Sequence, residues 1–293
     1  MRNLTIKITD ELSDKEIKSI LINTLNLSVR LITKLKADEN GILLNGERVT
    51  VRKLVAKGDI LEVNIPDNRS KNIVPNKMEL DIVYEDEDIL IVNKPHSMPT
   101  HPSIKHFENT LANGVMYYYR DVDFVFRAVN RLDRDTSGLV LIAKNQYAAY
   151  NLCRQIKEKK VKKQYLAICE GKFLQNFGSI EASIARESKS VIKRIVSPNG
   201  QYAKTEYTVL AYENGYSLVR VFPLTGRTHQ IRVHMSYIDH PIYSDFIYGK
   251  EIPGERTRLH CESLEFKHPL SGEICKFTAP CPEDFFIKPK LNS

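Results

Sequence analysis

The sequence predicts an α+β protein in two parts, a small α/β module ahead of a larger, β-rich domain. Three observations carry that expectation. Helical spacing of apolar residues occurs twice before residue 40 and gives way at once to short strand-like segments about Asn45-Gly46. A polar stretch bracketed by prolines, 66–75, then interrupts the pattern. Beyond it the chain is rich in strand signals, with at least three strand-like segments between Gly178 and Val221.

At 293 residues the chain is long enough for two domains and an ordinary core. An apolar fraction of 42% with 27% charged residues is that of a soluble globular protein. No apolar run approaches the roughly 20 residues needed to span a bilayer, so no membrane partner is expected. The start lacks the apolar region of a signal peptide, and a cytoplasmic location and a monomer are the expectations. Five cysteines, an odd number without a Cys-x-x-Cys pair, argue against a disulfide framework or a thiolate zinc site. They are expected to be reduced and mostly buried. The net charge of +7 and pI near 9.0 suit a polyanionic partner without demanding one.

Within residues 1–65, Asp14 is placed to cap a helix carrying Ile17, Ile20, Leu21 and Leu25. Ser28 is placed to cap a second with Val29, Leu31, Ile32 and Leu35. Arg30, Lys34 and Lys36 then lie around the solvent side of that second helix. Asn45-Gly46 supplies a two-residue hairpin turn, because both residues tolerate positive φ. Lys57-Gly58-Asp59 turns the chain into a last strand, 60–65. This order, with Leu43-Leu44-Asn45-Gly46, Val49 and Gly58-Asp59-Ile60-Leu61-Glu62-Val63, resembles the alpha-L RNA-binding module first described in ribosomal small-subunit protein four. The resemblance implies that Arg30, Lys34 and Lys36 grip RNA phosphates, which gives affinity without base specificity. Residues 66–79 are expected to be a linker, and 80–293 the larger domain.

In that domain, 80–84 and 89–92 flank an acidic turn as a hairpin that leads into the turn-rich loop 96–103. Residues 110–119 can form a helix capped by Asn109 or Thr110. Val129 to Lys144 then packs two arginines, two aspartates and a Thr-Ser-Gly turn ahead of the apolar run 139–143, which reads as a buried strand. The polar cluster therefore lies at the edge of a site, with Asp133 the prime candidate. Gln146 to Lys157 has helical spacing, and Lys162-Lys163-Gln164 leads into a strand at 165–169. A tyrosine beside lysines suits a stacked or flipped base. Strands follow near 179–184, 203–212 and 216–222, the last two joined at Asn214-Gly215. Gly226 breaks the strand, and Thr228 is placed to cap a short helix with His229, Ile231 and Arg232 on different faces. A further strand starts at Leu259.

The histidines do not suggest a metal. His229 and His234 lack the spacing of a zincin pair, and His96, His101 and His106 have no acidic partner at regular spacing. Glycine-rich nucleotide loops and the Gly-x-Ser-x-Gly elbow do not occur, which sets aside nucleotide cofactors and serine hydrolases. What remains is Asp133 and Asp135 among Arg131, Arg134, Arg227 and Arg232. If this segment is a strand, residues 131, 133 and 135 share a face. A carboxylate beside guanidinium groups is expected to stay ionised at neutral pH, which suits a nucleophile or general base. A glycosidase would need a second, protonated carboxyl, which the arginines oppose. A surface ion-pair ladder is the plain structural alternative.

Arg131-Leu-Asp-x-x-Thr-Ser-Gly138 is preceded by Ile91-Val-Asn-Lys-Pro95. It is followed by Lys163-x-Tyr165-Leu-Ala, by Leu224-Thr-Gly-Arg-x-His-Gln-Ile-Arg-x-His234 and by Leu259-His. In this order the motifs closely resemble the RluA-type family of RNA pseudouridine synthases, and with the amino-terminal module they cover nearly the whole chain. The resemblance implies a mixed, mostly antiparallel central sheet that works without cofactor or metal. It implies that Asp133 is the catalytic aspartate, paired with Arg232, and that Tyr165 stacks on the base or helps move the ring proton. Arg131 would fill the space left by the extruded uridine, and Asn130, Arg227 and His229 would contact the RNA. Attack of the aspartate on the sugar, attack on the base, and removal of a sugar proton are all compatible with these motifs.

Two positions depart from the family. Asn130 stands where His is usual, and Ser244 where Gly is usual, which puts a tight turn in doubt. The expected activity is uridine isomerisation in RNA, ribosomal (large-subunit) RNA favoured over tRNA because the fused amino-terminal module is commoner among the family's rRNA-directed members. The alternatives are a non-catalytic RNA-binding or ribosome-assembly factor and, more weakly, a nucleoside or sugar glycosidase.

Overall fold

Apolar spacing in the first 65 residues is resolved by a small sheet with two helices against it. In the computed structural model, which describes residues 2–67, 72–103, 106–188, 190 and 192–285, β1 (Arg2–Lys7) pairs antiparallel with the last strand of the module. β2 (Ile42–Leu44), β3 (Glu47–Arg48) and β4 (Ile60–Ile65) complete the order β1-β4-β2-β3. β1 was not anticipated. Asn45 and Gly46 close the β2–β3 hairpin at φ 56° and 81°. α1 (Ile17–Asn23) and α2 (Val29–Ala37) bury Ile17, Ile20, Leu21, Leu31 and Leu35 against Leu61 and Val63.

Ser28 caps α2 as expected, accepting from the Leu31 N–H at 3.1 Å. Asp14 does not cap α1. It sits at φ 59° with its N–H bonded to the Val55 carbonyl, a chain reversal that leaves Glu16 in the cap position without a side-chain bond.

The larger domain is built on one sheet. Its strands begin with β5 (Ile82–Glu85), β6 (Ile89–Lys94), β7 (Ser137–Ala143), β8 (Lys162–Glu170) and β9 (Phe177–Glu181). A separate ribbon of β10 (Ile184–Arg186) and β11 (Arg194–Val196) follows, so the strand expected at 179–184 divides between two sheets. β12 (Lys204–Glu213), β13 (Tyr216–Pro223), β14 (Leu259–Lys267) and β15 (Ile274–Thr278) complete the large sheet. The order is β5-β6-β7-β14-β8-β13-β12-β9, with β15 on β14. Among the described pairings of this sheet only β7 with β14 is parallel. The fold is therefore mixed α+β around a mostly antiparallel sheet.

α3 (Leu111–Tyr118), capped by Thr110, and α4 (Gln146–Lys157), capped by Asn145, cover the sheet, and α5 (Gln230–Tyr237) follows β13. All seven residues of β7 are buried, which is why this strand reads as a continuous apolar run. Gly138 approaches β14 so closely that an added Cβ would lie 2.3 Å from the Cys261 carbonyl oxygen, and its φ is 109°. The expected Thr-Ser-Gly turn is thus displaced. Ser137 and Gly138 already belong to β7, and the turn falls at 134–135, closed by the Thr136 N–H on the Asp133 carbonyl.

The amino-terminal module packs on the larger domain. Tyr147 of α4 is buried among the module's core residues, Arg2 forms a two-point pair with Asp88 at 3.0 Å, and Arg127 pairs with Asp67. Of the expected linker, 68–71 lie outside the described residues. The remainder is anchored, with Ile73 against the main core and the Asn76 N–H on the Asn113 carbonyl. No helix among the described residues is long and apolar enough to cross a membrane. The cysteines are unpaired, but only Cys169 and Cys261 are buried, while Cys153 and Cys281 are exposed, against the expectation that most would be buried.

Candidate active site

Asp133 lies in an irregular segment leading into β7, at the strand entry expected, so residues 131, 133 and 135 do not share a strand face. Ala128 makes a single bridge to Ile142, after which the chain leaves the sheet. Asn130 substitutes for the lost ladder. Its carboxamide accepts from the Leu141 N–H at 2.8 Å and donates to the Leu139 carbonyl at 3.1 Å. The side chain is buried at the cavity wall, and one amide supplies both donor and acceptor to the β7 backbone. Thr100 next grips Leu132 twice, donating to its carbonyl at 2.9 Å and accepting from its N–H at 3.2 Å. On the other side, the fully buried Lys94 ammonium donates to the carbonyls of Pro95, Met98 and Arg134 at 2.8, 2.7 and 3.2 Å. Burial lowers its pKa to about 7. Asp133 is thereby held between two backbone clamps, with its side chain 27% exposed.

Its partner comes from α5. Arg232 Nη1 lies 3.4 Å from Asp133 Oδ2, and its Nε and Nη2 both donate to Asp245 at 2.7 Å. Asp245, which sequence reasoning did not single out, is fully buried and also accepts from the Ile247 and Tyr248 N–H groups. Burial works against the charge on Arg232, and Asp245 followed by Asp133 more than offsets it. The turn that brings Asp245 into place is intact although Ser244 occupies it. Ser244 adopts φ 54°, and its hydroxyl accepts from the Ile252 N–H at 3.1 Å and donates to the Glu255 carbonyl at 3.2 Å.

His229, not Thr228, occupies the N-cap of α5, in the left-handed conformation and without a side-chain cap. That conformation turns Nε2 to within 4.0 Å of Asp133 Oδ2 while Nδ1 contacts the Tyr248 hydroxyl at 2.8 Å. Burial lowers the His229 pKa; Asp133 opposes that shift. Tyr248 also stands under the Arg232 guanidinium, 5.2 Å from ring centroid to Cζ.

Tyr165 is 7% exposed and reaches the cavity from β8. Burial, then its hydrogen bond to Cys261 and the charge of Asp133, push its hydroxyl well above the ordinary range. At neutral pH it is a neutral phenol in the same cavity as the carboxylate. Arg131 and Arg227 are exposed on the cavity wall, Arg227 held by a 2.9 Å bond from Nε to the Tyr202 carbonyl. The cavity is about 580 Å³. Among the described residues Asp133 is the one acidic side chain lining it, against Arg131, Arg134, Lys163, Arg227 and Arg232.

The structure does not bring Arg30, Lys34 and Lys36 to this site. They are exposed on α2, where Arg30 and Lys34 face a second cavity shared with Arg127 and Gln146. Sequence reasoning missed Asp245, Tyr248 and Lys94 as a clamp. Asp245 had one local signal, a lone carboxylate beyond His240-Pro241, whose partner is 13 positions away on another element.

The mostly antiparallel sheet thus carries, among the described residues, one cavity carboxylate under a group of cations, an arrangement suited to an anionic ligand. Residues 88–237 match the RNA pseudouridylate synthase family. The chain is 40% identical over 266 residues to the uncharacterized RNA pseudouridine synthase YjbO of Bacillus subtilis (strain 168), covering 89% of this chain and 93% of that one. It is 37% identical over 268 residues to ribosomal large subunit pseudouridine synthase D of Blochmanniella floridana, covering 83% and 84%. Among solved structures, human RNA pseudouridylate synthase domain containing 1 superposes with a TM-score of 0.59 at 31% identity, covering 69% of this chain and 83% of that one. The chain belongs to the RNA pseudouridine synthase family, in its RluA-type branch. It is an isomerase that acts on RNA.

Proposed function

We propose that the chain converts uridines of large-subunit ribosomal RNA to pseudouridine, with Asp133 as the catalytic aspartate. The observation that carries this reading is the one carboxylate of the cavity among the described residues, held by two backbone clamps and faced by Arg232. The reaction breaks the bond from the ribose to N1 of uracil, turns the base and joins the ribose to C5. The C5 proton leaves, and N1 gains one. Extruding the uridine costs a few kcal/mol, and stacking on an aromatic such as Tyr165 returns about 1–3 kcal/mol. Arg131, exposed at the cavity wall, is suited to the gap left in the RNA stem. A lone carboxylate does not suit a glycosidase, which works with two.

Large-subunit RNA is favoured because several relatives matched over four-fifths of this chain are named as large-subunit enzymes. The amino-terminal residues, read as an RNA-binding module, supply additional phosphate contacts from α2.

The test is tritium release from ribosomal RNA labelled at C5 of uridine. Wild type should release tritium, and Asp133→Asn should release none above background. Equal release by both would remove Asp133 from its role. Release by neither would favour a non-catalytic RNA-binding or ribosome-assembly factor. Mapping pseudouridines in ribosomal RNA from a strain lacking the gene tests the substrate, which requires the loss of at least one large-subunit site.

A further inference from the structure

Lys163 lies two residues before Tyr165 on β8, on the same face of the strand, and both line the catalytic cavity. Its neighbour Lys162 pairs with Glu265 at 2.6 Å. The Lys163 ammonium has no hydrogen bond or ion pair among the described residues. The one titratable group acting on it is the Cys261 thiol. Burial pushes that thiol to about 12, so it is uncharged at neutral pH and offers no counter-ion. Asp133 faces Arg232 and His229 instead. A partly buried cation without a counter-ion carries a desolvation cost, which an anion entering the cavity would offset.

The position of the ammonium says which anion. A Cβ placed on Gly226 would lie 3.7 Å from Lys163 Nζ, so the ammonium abuts the exposed turn that carries Arg227. The α-carbons of Lys163 and Tyr165 are two strand residues apart, about 6.6 Å at about 3.3 Å each, so the two side chains enter one cavity from the same strand face as neighbours. We propose that Lys163 binds the backbone phosphate of the nucleotide whose base enters at Tyr165, and so sets how deeply the uridine is inserted. This assignment rests on the reaction proposed above.

The test measures binding of a fluorescent, uridine-containing RNA stem-loop over a range of salt for wild type, Lys163→Gln and Lys163→Arg. Loss of one charged contact should weaken the Gln variant about tenfold at about 0.1 M salt. Its plot of log affinity against log salt should be shallower by about 0.7 to 0.9, and the Arg variant should keep the wild-type slope. A Gln variant that binds weakly with an unchanged slope overturns the assignment, because misfolding or loss of a neutral uracil contact would do that. Equal flattening in the Arg variant overturns it too. Tritium release by wild type is read alongside. Its absence would sink the proposed reaction, while the salt slopes would still decide the phosphate contact.

Discussion

Asp245 shows how much of this site is decided one side chain at a time. Its carboxylate is fully buried, holds Arg232 at two points and receives two backbone N–H groups besides. Truncation leaves a guanidinium buried and half-paired, so Asp245→Ala should lose about 3–5 kcal/mol in urea unfolding. Asp245→Asn keeps the shape and should fold, but it lets Arg232 drift from Asp133. Its kcat for tritium release should fall about 100-fold with a much smaller change in KM. His260 gives a pH signature. Burial, then the charge of Arg256, lowers its pKa from 6.5 to about 4, and the ring is bonded to Ser137 at 2.9 Å. The unfolded chain therefore binds the proton first, and stability present above pH 6.5 is lost as pH falls toward 4. Between about pH 7 and pH 5 the wild type should lose about 2 kcal/mol more than His260→Gln, measured by urea unfolding at both values.

Among the elements, β7 joins core to chemistry. It is buried throughout, pairs parallel with β14 over only two residue pairs, and is preceded by the Asp133 loop. Gly138 permits that pairing, since any Cβ would meet the β14 backbone and the φ of 109° is strained for other residues. Gly138→Ala should cost more than about 2 kcal/mol, read as a drop in the urea midpoint. Such a strand is legible because full burial writes an unbroken apolar run. β1 and β15 were not legible for the converse reason. They bury one residue and none respectively, so the short alternations of Leu4 with Ile6 and of Cys275 with Phe277 are backed by little burial. The start of α5 was misplaced because a backbone in the left-handed conformation at His229 does the work expected of a Thr228 cap, and no local residue signal announces it.

For the whole molecule, the consequence lies in how the amino-terminal module is held. Tyr147 lies within the module's core, and the Arg2–Asp88 and Arg127–Asp67 pairs fix its edge. Arg127 faces the second cavity with Arg30 and Lys34, while the residues just after it, 128 to 131, line the catalytic cavity. An RNA strand gripped by α2 would thus be led toward Asp133. Arg30, Lys34 and Lys36 are all exposed, so changing the three to Ala should leave the melting temperature within a few degrees. The salt slope of RNA binding should flatten by about 2 to 3 while activity on a short stem-loop stays measurable. An unchanged slope would return α2 to an ordinary solvated face. Deleting residues 1–65 is a harsher test, because it also uncovers Tyr147.

The sequence by itself determined the family and the α+β class and singled out Asp133, Arg232 and Tyr165, because these lie in short motifs whose residue order survives without coordinates. Tertiary structure alone decided what surrounds them. Arg232 is 99 positions from Asp133, and the clamps on the Asp133 loop come from Lys94 and Thr100 on the preceding strand and loop. Asn130 makes two bonds to the β7 backbone, and Lys163 is an unpaired cation in the cavity among the described residues. Burial and pairing set the energy of a polar group, and both depend on neighbours that a linear sequence does not place beside it.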